Sequence, residues 1–383
     1  MKVLTGIRRG GKSTLLRLLA DELTAAGKQC LLLNFEEMAL SPLLEAASLK
    51  AHLDERMSQR GDYCVLLDEV QEVAGWEKVV NSLLAEGRAD LYITGSNSRL
   101  LSAELSTYIA GRYVEVEVRT LSWAEYLEFQ TRLTGTAPDL ASAFESYLVR
   151  GGFPVLNTVE LTDEQARRAV SDIYASALIR DVLARKAIRQ TDALEWVALF
   201  ALDNVGRVFS ANSIAKYFKS QRRRVDPDTV LAYLSALSAA FIVNKVPRFD
   251  LQGKQLLTVN EKYYAGDHGL VTALLGPSAG RTPGVLENIV WAELRRRGYQ
   301  TYVGKLGEAE IDFVAEREGQ RAYFQVTTTF LNNPDTLTRE VTPLLSLKDA
   351  YPKYILSLEP LALPLDQGLI HQRIPDFLAG IQT

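Results

Sequence analysis

The sequence predicts an α/β protein that begins with a parallel sheet closed by a helical lid, continues into a helix-turn-helix region, and ends in a small α/β fold. Three observations predict it. A short apolar strand, Val3-Leu4-Thr5, runs into the glycine loop Gly6-Ile7-Arg8-Arg9-Gly10-Gly11-Lys12-Ser13, and Leu15, Leu16, Leu18 and Leu19 then recur at helical spacing. The unbroken apolar run Tyr63-Cys64-Val65-Leu66-Leu67 has the pattern of a strand buried on both faces and ends in Asp68-Glu69. From about Leu156 this rhythm gives way to long helical patterns.

Strand, glycine loop and helix arrive in the order a phosphate-binding loop needs. Glycines let successive backbone N–H groups wrap a phosphate, and a helix N-terminus adds positive potential. Lys12 is placed to reach β/γ oxygens and Ser13 to hold Mg²⁺, so Gly6, Arg9, Gly10, Gly11, Lys12, Ser13 and Thr14 are the expected contacts to a nucleotide. Carboxylates at the C-terminal end of a strand lie where α/β sheets bind ligands. Asp68 is expected to hold Mg²⁺ through its water shell, and Glu69 to act as general base toward the attacking water. Cys64, inside the strand, reads as a small core residue. A third strand, 89–94, runs into Gly95-Ser96-Asn97-Ser98-Arg99, where Asn97 or Ser96 would orient water at the γ-phosphate; the same residues are also ordinary turn chemistry.

Composition narrows the function classes. A chain of 383 residues, 47% hydrophobic and 23% charged, is long enough for two or three ordinary globular domains. No stretch approaches the roughly 18 unbroken apolar residues of a membrane span. The net charge of −4 offers no global positive field for nucleic acid, so any such contact has to come from a local patch. Two cysteines, Cys30 and Cys64, exclude a disulfide framework and a cysteine zinc site. The chain starts with Met1-Lys2 and a strand rather than a secretion signal, so a cytoplasmic protein is expected.

These residues resemble a known group. The Arg-Arg-Gly-Gly-Lys-Ser loop, Leu-Leu-Asp-Glu-Val-Gln at 66–71, Thr-Gly-Ser-Asn-Ser at 94–98 and Leu-Ser-Trp-Ala-Glu-Tyr at 121–126 are similar to prokaryotic AAA+ ATPases. In those proteins an ATPase module is joined to a C-terminal region with a winged helix and a nuclease-like fold. The resemblance runs over nearly the whole chain. It implies that residues 6–13 are the Walker A loop, that Asp68 and Glu69 form Walker B, and that Asn97 sits near the sensor-1 position. It also implies that Arg112 falls where the family carries an arginine finger or sensor; a surface salt bridge is the other fate open to it. Because relatives of this class work as rings, a homo-oligomer is among the expected partners. The family usually carries a longer segment before the loop, often part of the adenine side of the pocket; with five residues ahead of Gly6, either the true start lies upstream or this form is expected to hold the phosphates better than the adenine.

Leu140, Phe144, Tyr147 and Leu148 recur at helical spacing between Gly135 and the corner Gly151-Gly152-Phe153-Pro154, and read as the lid. Farther on, Ser210 is an expected N-cap for one short helix and Thr229 opens a second, a helix-turn-helix outline. The segments 241–246 and 254–258 about Asp250-Leu251-Gln252-Gly253 read as a hairpin that supplies the wing. Lys216, Lys219, Arg222, Arg223 and Arg224 crowd the turn, which points to a salt-sensitive DNA contact. Asp226 and Asp228 at the start of the second helix weigh against it, and a protein partner docked there is the other reading. No base-sequence code is readable from exposed candidates such as Thr229 and Tyr233.

Leu275-Gly276-Pro277-Ser278-Ala279-Gly280-Arg281-Thr282-Pro283-Gly284 reads as a linker opening a last unit. A helix with Glu287, then strands at 302–303, 310–314 and 322–327, resemble the restriction-endonuclease-like fold, which holds Mg²⁺ by an aspartate on one strand and a glutamate-x-lysine on the next. Asp312 takes the aspartate position, but Gln325 and Thr327 stand for the glutamate and the lysine. A neutral amide weakens a hard-cation site, and threonine brings no charge to the phosphate. A catalytically silent fold is therefore expected, with Lys305 as a substitute ammonium in the opposite case. The expected domains are 1–155, an ATPase with its lid; 156–275, helical and winged; and 276–383, nuclease-like. The expected activity is Mg²⁺-dependent ATP hydrolysis coupled to DNA or protein binding. Its alternatives are a non-hydrolysing switch that holds ATP or ADP, and an ATP-regulated nuclease.

Overall fold

The computed structural model describes residues 1–57, 62–95, 111–183, 188, 190–329, 334–363, 365 and 368–380. They form two compact units, Met1–Arg119 with Ala239–Phe241, and Thr120–Ser238 with Ile242–Thr383.

The first unit carries β1 (Lys2–Thr5), α1 (Lys12–Ala25), β2 (Gln29–Asn34), α2 (Ala46–Arg56), β3 (Tyr63–Asp68), α3 (Trp76–Glu86), β4 (Ala89–Thr94) and β5 (Val114–Glu117). Their sheet has the order β2-β3-β4-β1-β5 with every described pair parallel. The alternation of side chains along β3 accounts for its unbroken apolar run. Tyr63, Val65 and Leu67 join Leu49 and Leu53 of α2 and Val79, Val80 and Leu83 of α3 in one core cluster. Cys64 and Leu66 pack on the opposite side against Leu16 and Ala20 of α1. Asp68 has the parity of Cys64 and Leu66, so the end of β3 turns its carboxylate to the side of α1. The chain leaves β1 toward β2 on one side and reaches β5 on the other, which makes the carboxyl end of β1 the switch point where such sheets bind ligands.

In the second unit, α4 (Trp123–Thr134), α5 (Leu140–Arg150), α6 (Asp163–Ala177), α7 (Thr191–Asp203), β6 (Val208–Phe209), α8 (Ala211–Ser220), α9 (Pro227–Ala239), β7 (Val243–Asp250) and β8 (Gln255–Ala265) come first. They are followed by α10 (Gly269–Leu275), α11 (Thr282–Arg296), β9 (Gln300–Leu306), β10 (Ala309–Arg317), β11 (Gln320–Val326), α12 (Pro334–Leu345), β12 (Lys353–Ser357), β13 (Leu369–Arg373) and α13 (Ile374–Leu378). Ser210 caps α8, its hydroxyl accepting from Ser213 N at 3.1 Å. The next helix opens two residues before Thr229, because the Asp226 carboxylate accepts from Thr229 N at 2.9 Å and Pro227 suits a first helical position.

One mixed sheet, β13-β12-β11-β10-β9-β7-β8-β6, spans this unit. The hairpin β7–β8 joins the later strands through a parallel pairing of Arg248 with Val303 and Asp250 with Lys305. The turn-rich segment at 275–284 therefore divides the sequence without dividing the sheet. At the Gly151-Gly152 corner, the buried Asp267 carboxylate accepts from Gly152 N at 2.9 Å and Gly269 N at 2.8 Å. Among the described residues no helix is long and apolar enough to cross a membrane.

Candidate functional site

The loop after β1 is shaped by contacts that only glycine tolerates. At Gly6 φ is 139°, and a Cβ there would lie 2.1 Å from the Val118 carbonyl oxygen. Gly10 N donates to Ile7 O at 3.1 Å, closing the turn, and Gly11 with φ 103° hands the chain to α1. Arg9 also has positive φ, and its side chain is exposed. Lys12 is 4% exposed, and its ammonium donates to Gly6 O at 2.9 Å and Ile7 O at 3.0 Å, folding back over the loop. Ser13 is half-buried and Thr14 exposed on the first turn of α1.

The carboxylate pair is held by its neighbour strand. Thr94, at the end of β4 and fully buried, donates its hydroxyl to Asp68 Oδ1 and accepts from Glu69 N at 3.0 Å. Glu69 takes a left-handed conformation, φ 52°, and its carboxylate accepts from Gln71 Nε2. Burial pushes the Glu69 carboxyl above the ordinary glutamate range, while Lys12, Gln71 and Arg8 pull it back and Asp68 adds a small upward push. Two of the loop's three cations, Lys12 and Arg8, thus favour the charged form of Glu69. Arg8 is buried and its guanidinium reaches Glu36 at 3.3 Å. Arg8, Gln71 and Thr94 had no role in the sequence reading. Only the end of β4 beside β3 signals Thr94, and that adjacency is tertiary.

Of two further expected residues, one is not described and the other stands apart. Asn97, with Ser96, lies outside the described residues. Arg112 is exposed, its carbonyl accepts from the Met1 amino group at 3.3 Å, and Val114 N donates to Met1 O at 3.0 Å. It therefore precedes β5 at the amino end of the sheet, whereas the glycine loop leaves the carboxyl end of β1. Cys64 is buried, and burial raises its thiol pKa.

In the second unit Lys216, Lys219, Arg222, Arg223 and Arg224 are all exposed, with Arg223 stacked over Trp196 at 4.1 Å. Tyr233, expected to be exposed, is buried: it is 7% exposed and its hydroxyl donates to Gln190 O at 3.3 Å. Thr229 turns its hydroxyl to Asp226 at 2.7 Å.

Farther along, Asp312 Oδ2 accepts from Val326 N at 3.0 Å, Gln325 Oε1 accepts from Asp312 N at 3.3 Å, and Gln325 Nε2 donates to Glu340 at 2.6 Å. A cavity of about 980 Å³ opens here, with Glu287, Glu310, Asp312, Gln325, Thr327 and Glu340 in its wall. The ammonium beside Asp312 is that of Lys262 on β8, at 3.0 Å. Lys305 faces Glu310 in the β9–β10 register, so it is not the lysine bonded to Asp312. Arg295, Arg296 and Arg297 spend their guanidiniums on Tyr299 O, on Glu293 and Thr120 O, and on Glu293 and Phe377 O.

Residues 1–127 match the family described as AAA domain, and residues 141–280 match a domain of unknown function, DUF8612. An uncharacterized protein of Haemophilus influenzae is 37% identical over 367 residues, covering 93% of this chain and 88% of that one. Another, of Methanocaldococcus jannaschii, is 26% identical over 325 residues, with 82% and 71% covered. Among solved structures, a Walker-type ATPase of Pyrococcus abyssi superposes with a TM-score of 0.48 at 16% identity, over 71% of this chain and 90% of its own. The loop at the carboxyl end of β1 and the carboxylates closing β3 thus sit inside the AAA match, and the chain belongs to one family with the Haemophilus influenzae protein, a family that carries an AAA domain at residues 1–127.

Proposed function

We propose that the protein is a Mg²⁺-dependent ATPase that couples its nucleotide state to a DNA- or protein-binding C-terminal half. One observation carries the reading: the glycine loop leaves β1 with the Lys12 ammonium folded onto it, and in the same parallel sheet the end of β4 places Thr94 against Asp68 and Glu69 at the end of β3. The glycine loop offers backbone N–H groups to phosphate oxygens, and Lys12 swings from the carbonyls of Gly6 and Ile7 to the same oxygens. Ser13 and Asp68 present hard oxygen ligands of the kind Mg²⁺ takes, and Mg²⁺ would supply charge neutralisation of the β/γ oxygens. Glu69 accepts the proton of the attacking water, and Gln71 holds its carboxylate in place. Arg8 adds positive charge at the loop. Arg112, at the far end of the sheet, is left the role of a finger toward a neighbouring subunit.

We assign residues 1–155 to the nucleotide cycle, 156–275 to a winged helix-turn-helix and 276–383 to a silent nuclease-like fold, in a cytosolic protein. The exposed cations at 216–224 are the proposed DNA contact. Phosphate release by the full chain tests the enzyme: it should vanish in Glu69→Gln while ATP binding persists. Equal release from both proteins would make the chain a non-hydrolysing switch.

A further inference from the structure

The restriction-endonuclease-like reading of the last part of the chain implies a divalent metal at Asp312, and the residues around Asp312 do not fit one. The ammonium of Lys262 lies 3.0 Å from Asp312 Oδ1, 2.9 Å from Glu287 Oε2 and 2.9 Å from Glu310 Oε1. An ammonium has three N–H donors; Lys262 donates to Glu287 of α11 and Asp312 of β10, and Glu310 of β10 completes the cluster as an ion pair. Lys262 is 1% exposed, so these bonds replace its water shell. Mg²⁺ takes its oxygen ligands at about 2.0–2.1 Å. Drawing the same carboxylates to that distance would set a dication against the ammonium. The rest of the donor set is also engaged: Asp312 Oδ2 accepts from Val326 N, Gln325 offers its carbonyl to Asp312 N and its amide to Glu340.

We propose that Lys262 is the resident cation of this fold, a fixed ammonium standing where a nuclease would hold its metal, and that it clamps the hairpin strand β8 to α11 and β10. The sequence route is long. Lys262 belongs to the hairpin that follows the helix-turn-helix, whereas Glu287, Glu310 and Asp312 belong to the fold after the turn-rich segment. The clamp adds to the β7–β9 pairing, so the two parts share both a sheet and a charge cluster. Tyr264, two residues on and on the same strand face, donates its hydroxyl to Glu287 Oε2 at 3.0 Å and stacks on Trp291. The chain thereby sets its own ammonium against these acids at the place where the nuclease reading would put a metal.

The inference is independent of the ATPase reading, and its test uses the full chain without nucleotide. Mn²⁺ is titrated by electron paramagnetic resonance into the wild type and Asp312→Asn, and melting of the wild type and Lys262→Met is followed in chelator and in Mn²⁺. The expected result is the same Mn²⁺ uptake by wild type and Asp312→Asn, a wild-type melting temperature indifferent to Mn²⁺, and a lower one for Lys262→Met. A saturable Mn²⁺ site in the wild type that disappears in Asp312→Asn would overturn the proposal, as would a Lys262→Met protein that melts like the wild type. Failure of Lys262→Met to fold would support the clamp, and the wild-type titration would still decide the metal.

Discussion

Lys12 and Lys262 are both nearly cut off from solvent, yet their ammonium groups are held by different chemistry. Lys12 folds back onto the carbonyls of Gly6 and Ile7, neutral groups of the loop that would itself receive phosphate. Lys262 is gripped by three carboxylates from two elements. A carbonyl contact is exchanged for a phosphate oxygen with a gain in charge pairing, whereas leaving three carboxylates would strand buried charges of both signs. The same residue type is thus poised for a ligand in one unit and committed to the fold in the other. What separates the two is that the Lys12 ammonium donates to two loop carbonyls, whereas the Lys262 ammonium donates to carboxylates.

The sharpest way to break the contrast is at the base beside Lys12. Glu69→Gln is expected to lower kcat by about 10²–10⁴-fold with nucleotide binding retained, read by phosphate release and calorimetry. Next come the lysines themselves. Lys12→Met should weaken ATP about 10–100-fold with little change in melting, as expected for a lost charge-assisted contact. Lys262→Met should do the reverse, losing about 3–5 kcal/mol of stability because it leaves buried carboxylates uncompensated, with ATP affinity unchanged. Matching effects from the two substitutions would erase the distinction.

A third kind of cation, exposed and unburdened by burial, is the group at 222–224. Replacing Arg222, Arg223 and Arg224 with alanine should reduce the slope of log affinity for duplex DNA against log salt by about 2.7, measured by fluorescence anisotropy. A wild-type protein with no salt-dependent DNA binding would remove that contact. The smallest effect concerns stability in the absence of nucleotide. Burial raises the folded pKa of Glu69, so its carboxylate costs stability once pH exceeds the unfolded value, with the full cost above the folded one. Glu69→Gln should therefore melt a few degrees higher than wild type at neutral pH, and the gain should fade as pH drops below the ordinary glutamate pKa of about 4.3.

Much of the first site is legible without coordinates because its parts are local. The glycines of the loop, Lys12 and Ser13 lie within eight residues, and backbone sterics alone dictate where glycine must stand. The run 63–67 reads as a strand because both its faces are covered, and the period of two then decides on which side Asp68 emerges. Arg8 and Gln71 could have been drawn in by proximity to these motifs. Thr94 opens the quoted motif at 94–98, but its contact with Asp68 crosses from β4 to β3 and has no local signal.

Longer-range expectations fared according to how far apart their residues lie in the chain. Arg112 follows Gly111 in a family-like string, but the β1–β5 register puts it at the amino end of the sheet. Tyr233 reads as exposed on a short helix, and the packing of α9 buries it. Lys262 had no motif at all. It is 50 residues from Asp312, and its bond to that carboxylate exists because one sheet continues from the hairpin into the last fold. The amino-acid sequence by itself determined the loop, the strand that ends in two acids and the order of the elements, since each follows from sterics and side-chain period over a few residues. Only the tertiary structure decided which charges meet, because Coulomb pairing depends on distance in space, and sheet order rather than chain order sets that distance.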